Sequence, residues 1–241
     1  FSNDGSVSVV LDADGKAHVF YGSTFVQNTD LADNGQFEFY PNLSALFYWN
    51  EDMGPAAEGD SIAGIVDVDG DGVGAVPVGS TPGGYNPALV GMPSAGIDAS
   101  GNLYVVYSAT HETFTDGTNH YRHVYIVKST DGGQTWTEPV DLNYEVDDEF
   151  RESVFADLAV NVDNELHIVY QRDFEPGLAV RPDPGTHSIT TNEIVYANIP
   201  TDLNVGMKEE TVLHSDVAVY PNPANENLTI GFHMRESANA V

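Results

Sequence analysis

The stretch Asp67-Val68-Asp69-Gly70-Asp71-Gly72 has the Asp-x-Asp-x-Asp-Gly spacing of a calcium loop. Alternate carboxylates converge on one hard cation, and glycine permits the sharp bend between them. An EF-hand would close the loop with an acidic residue, but Val78 stands at that position. Flanking helices are not evident either. The expected site is Asp67, Asp69 and Asp71 around a structural Ca2+, against an acidic hairpin turn as the plainer alternative; no other cofactor is expected. A second group, His111, Glu112, Asp116, His120 and His123, crowds one loop. Imidazole and carboxylate suit a transition metal, yet the spacing matches no zinc pattern, and a solvated loop is the simpler account. A phosphate-binding glycine loop, a Gly-x-Ser-x-Gly elbow and a His-Glu-x-x-His motif are all missing.

Composition narrows the partners. The 241 residues carry 8 Lys+Arg against 37 Asp+Glu, a formal charge of -29. Such a polyanion repels nucleic acid and anionic lipid within the reach of its field. Nucleic acid is therefore excluded as an expected partner; divalent cations, cationic proteins and neutral glycans fit better. Cysteine is absent, which removes disulfides and thiolate metal sites. No apolar run approaches the ~20 residues of a membrane helix, so membrane insertion is not expected. A strand-like pattern, Ser6–Leu11, stands at the very start, so the N-terminus reads as a cut.

The elements that must position these groups are strands. Three segments align without gaps: Asp12–Tyr21, Asp98–Tyr107 and Asn161–Tyr170. Each follows a short apolar run, turns at Gly15, Gly101 or Asn164 where a positive φ is expected, and closes on tyrosine. Each is a β-hairpin. A third strand follows at Ala45–Trp49, Val124–Lys128 and Glu193–Ala197, and a fourth is expected at Thr135–Val140 in the second repeat. Four antiparallel strands recurring at this spacing describe a propeller blade. Closed propellers have about 4–8 blades. With three visible, the rest are expected upstream of Phe1, with a degenerate blade between Asp52 and Asn86 as the alternative. The fold class is all-β.

After the third strand of the second repeat comes Ser129-Thr130-Asp131-Gly132-Gly133-Gln134-Thr135-Trp136. The Ser and Asp side chains can bond to backbone amides, Gly133 allows the bend, and Trp136 can anchor the turn. This matches the Ser-x-Asp-x-Gly-x-x-Trp of the Asp-box, and residues 6–213 resemble the sialidase-like, Asp-box (BNR) propeller superfamily. The resemblance implies that Ser129, Asp131, Gly133 and Trp136 are architecture and not catalytic. Sialidases use an arginine triad, a Tyr–Glu pair and an acidic proton donor; Arg151, Glu152 and Arg172 are the weak candidates for that machinery here. The chain has five arginines, and the family's Phe/Tyr-Arg-Ile-Pro motif is not found.

From Val217 to Ile230 the sequence, with Val-Tyr-Pro-Asn-Pro at Val219–Pro223, is similar to the opening of a type IX secretion C-terminal sorting domain. The implied division is a propeller over residues 1–213 and a truncated sorting domain over 214–241. The implied partner is the type IX machinery, and the implied location is outside a Gram-negative cell, secreted or at its outer surface. The leading functional reading is a binding module for a glycan or a surface protein. The rivals are an exo-acting sialidase-like glycoside hydrolase and a module of a larger secreted adhesin or peptidase.

Overall fold

The computed structural model describes residues 2–28, 38–77, 88–143, 150–178, 190–203, 218–220 and 229–231. The chain divides into one compact unit, Phe1–Leu203, and a second, Asn204–Val241. The expected boundary after Leu213 lies outside the described residues.

In the first unit the repeats become three antiparallel blades. The first has β1 (Ser2–Leu11), β2 (Ala17–Gln27), β3 (Glu38–Asn50) and β4 (Asp60–Ala63), in that order. The second has β5 (Val90–Asp98), β6 (Leu103–Thr115), β7 (His120–Ser129) and β8 (Val140–Asp141). The third has β9 (Glu152–Leu158), β11 (Glu165–Asp173) and β12 (Glu193–Pro200), while the two-residue β10 (Asn161–Val162) runs parallel to β5. The described residues are all-β apart from a 3-10 turn at Glu51–Met53. The architecture is propeller-like, with the total number of blades left open. In the second unit, β13 (Ala218–Tyr220) pairs antiparallel with β14 (Thr229–Gly231).

The three hairpins form as expected, pairing Leu11 with Ala17, Ile97 with Leu103 and Leu158 with Ile168. Gly15 and Gly101 take the left-handed φ of 82° and 83° that their turns require. Asn164 does not share that conformation. Its repeat departs because Asn161 and Val162 leave the hairpin to pair with Ile97 and Asp98 of the second blade. The Asp163 carboxylate then accepts the Glu165 amide at 3.0 Å and closes the turn differently. The fourth strand of the second blade is also shorter and later than Thr135–Val140, since only Val140 and Asp141 pair with β7. The Ser129–Trp136 loop occupies the intervening residues. In the first blade β4 supplies the fourth strand, so the described part of the Asp52–Asn86 stretch completes a blade and does not add one.

Burial follows the sandwich. In β6 and β7 both faces are covered, which explains their unbroken apolar runs. The first blade buries one face, with Val10, Phe20, Leu46 and Tyr48 meeting Ala95, Val105, Tyr107 and Val127 of the second. Every further apolar side chain sealed between blades contributes roughly 1.5–3 kcal/mol.

The Ser129–Trp136 loop fixes that junction. Asp131 accepts the Gln134 amide at 3.0 Å, the Thr135 amide at 2.9 Å and the Ser129 hydroxyl at 2.8 Å. The Ser129 hydroxyl oxygen accepts the Gly133 amide at 2.9 Å. These bonds, led by that from the Thr135 hydroxyl, hold the Asp131 carboxyl down at about 2. Trp136 then meets Phe20 and Tyr48 of the first blade edge-on, with ring centroids 5.7 and 5.4 Å apart. The Tyr48 hydroxyl donates to the Gly132 carbonyl at 3.1 Å, so the loop of one blade is locked onto the preceding one.

Candidate functional site

The acidic loop lies in the connection that follows β4. Asp67 accepts the Gly70 and Gly72 amides at 2.8 Å each, Asp69 accepts the Asp71 amide at 3.0 Å, and Asp71 accepts the Val73 amide at 2.8 Å. These local bonds curl the segment so that its alternate carboxylates gather. A fourth carboxylate arrives from the second blade. The β6–β7 pairing is irregular between Thr110 and Thr115, and such an irregularity re-aims side chains. Glu112 lies within it, 8% exposed, with its carboxylate accepting the amides of Val68 at 2.7 Å, Asp69 at 3.2 Å and Ala75 at 3.1 Å. Asp67, Asp69, Asp71 and Glu112 each present an oxygen within 4.8 Å of the others.

Asp67, Asp69 and Asp71 face solvent, which screens their mutual repulsion, and a cation among the four carboxylates would offset what remains. The donors are all hard oxygens, and calcium at 2.3–2.6 Å from each would span such a cluster. The donor set therefore fits a hard divalent cation. Spacing alone could not supply Glu112, which lies 44 residues beyond Val68. Val78 falls outside the described residues.

The histidine-rich group separates into different jobs. Asp116 caps its own turn through the Thr118 and Asn119 amides, both at 2.7 Å. The His120 ring donates from Nδ1 to the His111 carbonyl at 2.9 Å. His123, fully buried, meets the Asp141 carboxylate through Nδ1 at 2.7 Å. His111 stacks on Phe114 at 4.2 Å and lies 4.7 Å from His123, ring to ring. His111, His123 and Asp141 thus bring three donors together. However, His111 Nδ1 accepts the Thr113 and Phe114 amides at 3.2 Å each, so the neutral ring keeps its proton on Nε2. That tautomer leaves His111 no lone pair to offer a metal.

Burial, and next the neighbouring His123, hold His111 down at about 4. The unfolded chain takes up this proton near the ordinary histidine value of 6.5, the folded one only near 4. Stability is therefore full above about 6.5 and declines as the pH falls toward 4. Urea midpoints measured across that window should fall for the native chain. The dependence should be shallower for His111→Gln; an unchanged slope would remove His111 as its source.

Arg151, Glu152 and Arg172 are each engaged within the blades. Arg172, 4% exposed, donates from Nε and Nη2 to Glu193 at 3.0 Å, directly across β11 and β12. Glu152, 1% exposed, accepts the Arg122 amide at 2.6 Å. The Arg151 guanidinium lies over the Phe174 ring, 3.4 Å from its centroid. Arg122 stands in no motif that would single it out, yet its buried guanidinium donates to the Leu89 and Ala88 carbonyls at 3.2 and 2.9 Å.

No family model and no curated protein matches the chain. Among solved structures it is similar to an ulvan lyase of a new polysaccharide lyase family, at 16% identity and a TM-score of 0.38, covering 73% of this chain and 33% of that one. The same kind of enzyme bound to a GlcA–Rha3S glycan gives 15% identity and 0.44, over 84% and 40%. A Hadza microbial sialidase gives 15% and 0.37, over 69% and 32%. The chain spans about a third of the length of the first of these structures. These likenesses are distant, and it is the strand order above that makes the chain an all-β protein of repeated, propeller-like blades.

Proposed function

We propose that this chain is a secreted binding module for a glycan or a surface protein, steadied by a calcium ion at Asp67, Asp69, Asp71 and Glu112. The observation that carries the reading is the arrival of the buried Glu112 carboxylate at a loop that already gathers three others. The charge of -29 supports neutral or cationic ligands over anionic ones. The pairing of Arg172 with Glu193 supports binding over a sialidase-like hydrolysis, since that guanidinium is already committed. Export is read from the Val217–Ile230 sequence as the start of a type IX sorting segment. Deleting residues 214–241 should leave the protein inside a type IX-competent cell, and undiminished export would remove that reading.

The ion is tested on the purified chain by thermal unfolding in calcium, in magnesium and in chelator. Exposed oxygen sites of this kind bind calcium at roughly 10⁻⁴–10⁻³ M. At ten times that concentration the linkage stabilisation is about 1.4 kcal/mol, a rise of about 3–6 °C for a domain near this size. Asp69→Asn with Asp71→Asn should abolish the rise, and retention of neutral glycans on a column should weaken in chelator. A midpoint that ignores calcium, or that answers magnesium equally, would remove the ion from this account.

A further inference from the structure

The first strand of every blade bulges at one level. Ser6, Met92 and Phe155 occupy the same place, six residues before Asp12, Asp98 and Asn161, the first residues of the aligned segments. The pairing of β1, β5 and β9 with the next strand slips across this place, between Asn3 and Val7, Gly91 and Ser94, and Val154 and Asp157. Met92 and Phe155 both take a φ of 57°, a left-handed backbone that strains any residue with a Cβ. In the first blade the positive φ falls one residue earlier, on Gly5. A bulge re-aims side chains, and strain kept at one level in two blades marks an aim that strand pairing does not require.

These strands meet where the blades converge. The Ser6 hydroxyl accepts the Met92 amide at 3.0 Å and the Ser8 hydroxyl accepts the Ala95 amide at 3.1 Å, so β1 lies beside β5. The Ser94 hydroxyl accepts the Leu158 amide at 3.0 Å and donates to Asp157 Oδ1 at 2.9 Å, so β5 lies beside β9. First strands standing side by side line the centre of a propeller. Met92 has a blade on either side and is still only half-buried. Its position therefore faces the centre and not a neighbouring blade. Phe155 holds the same position, 50% exposed, so its exposure follows from where the bulge aims it and not from what flanks the third blade.

The wall so built has the chemistry of a sugar site. Phe155 offers an aromatic ring, and Met92 an adaptable thioether at the same level. Asp157 gives Oδ1 to Ser94 and keeps Oδ2 for hydroxyl donors, whose bonds to a carboxylate are strong. A pyranose has both complements, an apolar C–H face and hydroxyls around its edge. The charge of -29 disfavours sulfated or uronate chains. We propose that Phe155, Met92 and Asp157 form a subsite for a neutral pyranose unit of a glycan. The proposal rests on the glycan reading above and gives that contact its residues.

Soluble neutral glucans, mannans, galactans and xylans are titrated into the purified chain by calorimetry, with a sulfated galactan as the counter-probe. Phe155→Gly removes the ring and relieves the backbone, so the thermal midpoint should stay within about 5 °C of the native one. Affinity for the neutral glycan should nevertheless fall at least about tenfold. Asp157→Asn keeps an acceptor for Ser94 and should weaken binding about fivefold. In methyl-labelled methionine spectra, the resonance of Met92, one of four methionines, should move during the native titration. This reading needs no variant to fold. Should both variants bind as tightly as the native chain, or the Met92 methyl stay still while glycan binds, the subsite is overturned and the glycan reading stands. Preference for the sulfated galactan overturns the neutral class. A native chain that takes none of these glycans removes the glycan reading, and the subsite with it.

Discussion

Gly133→Ala should cost about 3 kcal/mol of folding stability, while the same change at the adjacent Gly132 should cost only about 1 kcal/mol. Both glycines have positive φ, 89° and 73°. An alanine at either position would therefore carry the backbone strain of an L-residue in the left-handed region. Only at Gly133 does an added Cβ collide, lying 2.3 Å from the Tyr48 ring; at Gly132 nothing lies within 4 Å. The collision is with a ring held by three hydrogen-bond partners and two aromatic neighbours, so it cannot be relieved by swinging a free side chain aside. Denaturant midpoints at unchanged slope would measure both losses. Equal costs would mean that the loop yields, and that its fit against Tyr48 is not what demands glycine.

Tyr48→Ala should cost about 4 kcal/mol, and Tyr196→Ala less than about 1 kcal/mol. The two tyrosines occupy equivalent strands and make the same bond to a histidine. Their surroundings differ. Tyr48 is fully buried, accepts from Asn50 at 2.8 Å, donates to Gly132 and packs on Phe20 and Trp136. Removing it opens a cavity and strands the polar groups of His18 and Asn50. Tyr196 is mostly in solvent. Thermal midpoints should separate the two by about 10 °C. Similar losses would mean that Tyr196 is already covered, and that its face is not open.

The hairpins were legible because both their signals are local: a tight polar turn and an apolar run closing on tyrosine. Val124–Lys128 and Glu193–Ala197 were legible for the same reason, and each lies within its observed strand. What escaped depends on tertiary placement. The turn at Asn164 reads like its two counterparts, but Asn161 and Val162 are drawn to the edge of β5, a competition invisible in the hairpin itself. Thr135–Val140 alternates like a strand, yet Trp136 is claimed by the first blade. Glu112 read as one of a crowd of histidines and acids. Its partners Val68, Asp69 and Ala75 belong to another blade, and only the folded registers bring them together. Arg172 and Glu193 are different: once β11 and β12 are paired in register, they stand opposite each other by counting.

The short parallel pairing of β10 with β5 bears on how the molecule comes apart. Arrays of repeats often open one unit at a time, because neighbours share only side-chain packing. Here Asn161 and Val162 join the backbone ladder of the preceding blade, and the Ile97 amide bonds to the Val160 carbonyl at 2.9 Å. The third blade cannot peel away without breaking main-chain bonds of the second. The two should exchange their amide hydrogens as one cooperative unit, with Ile97 released to solvent only when both blades open together.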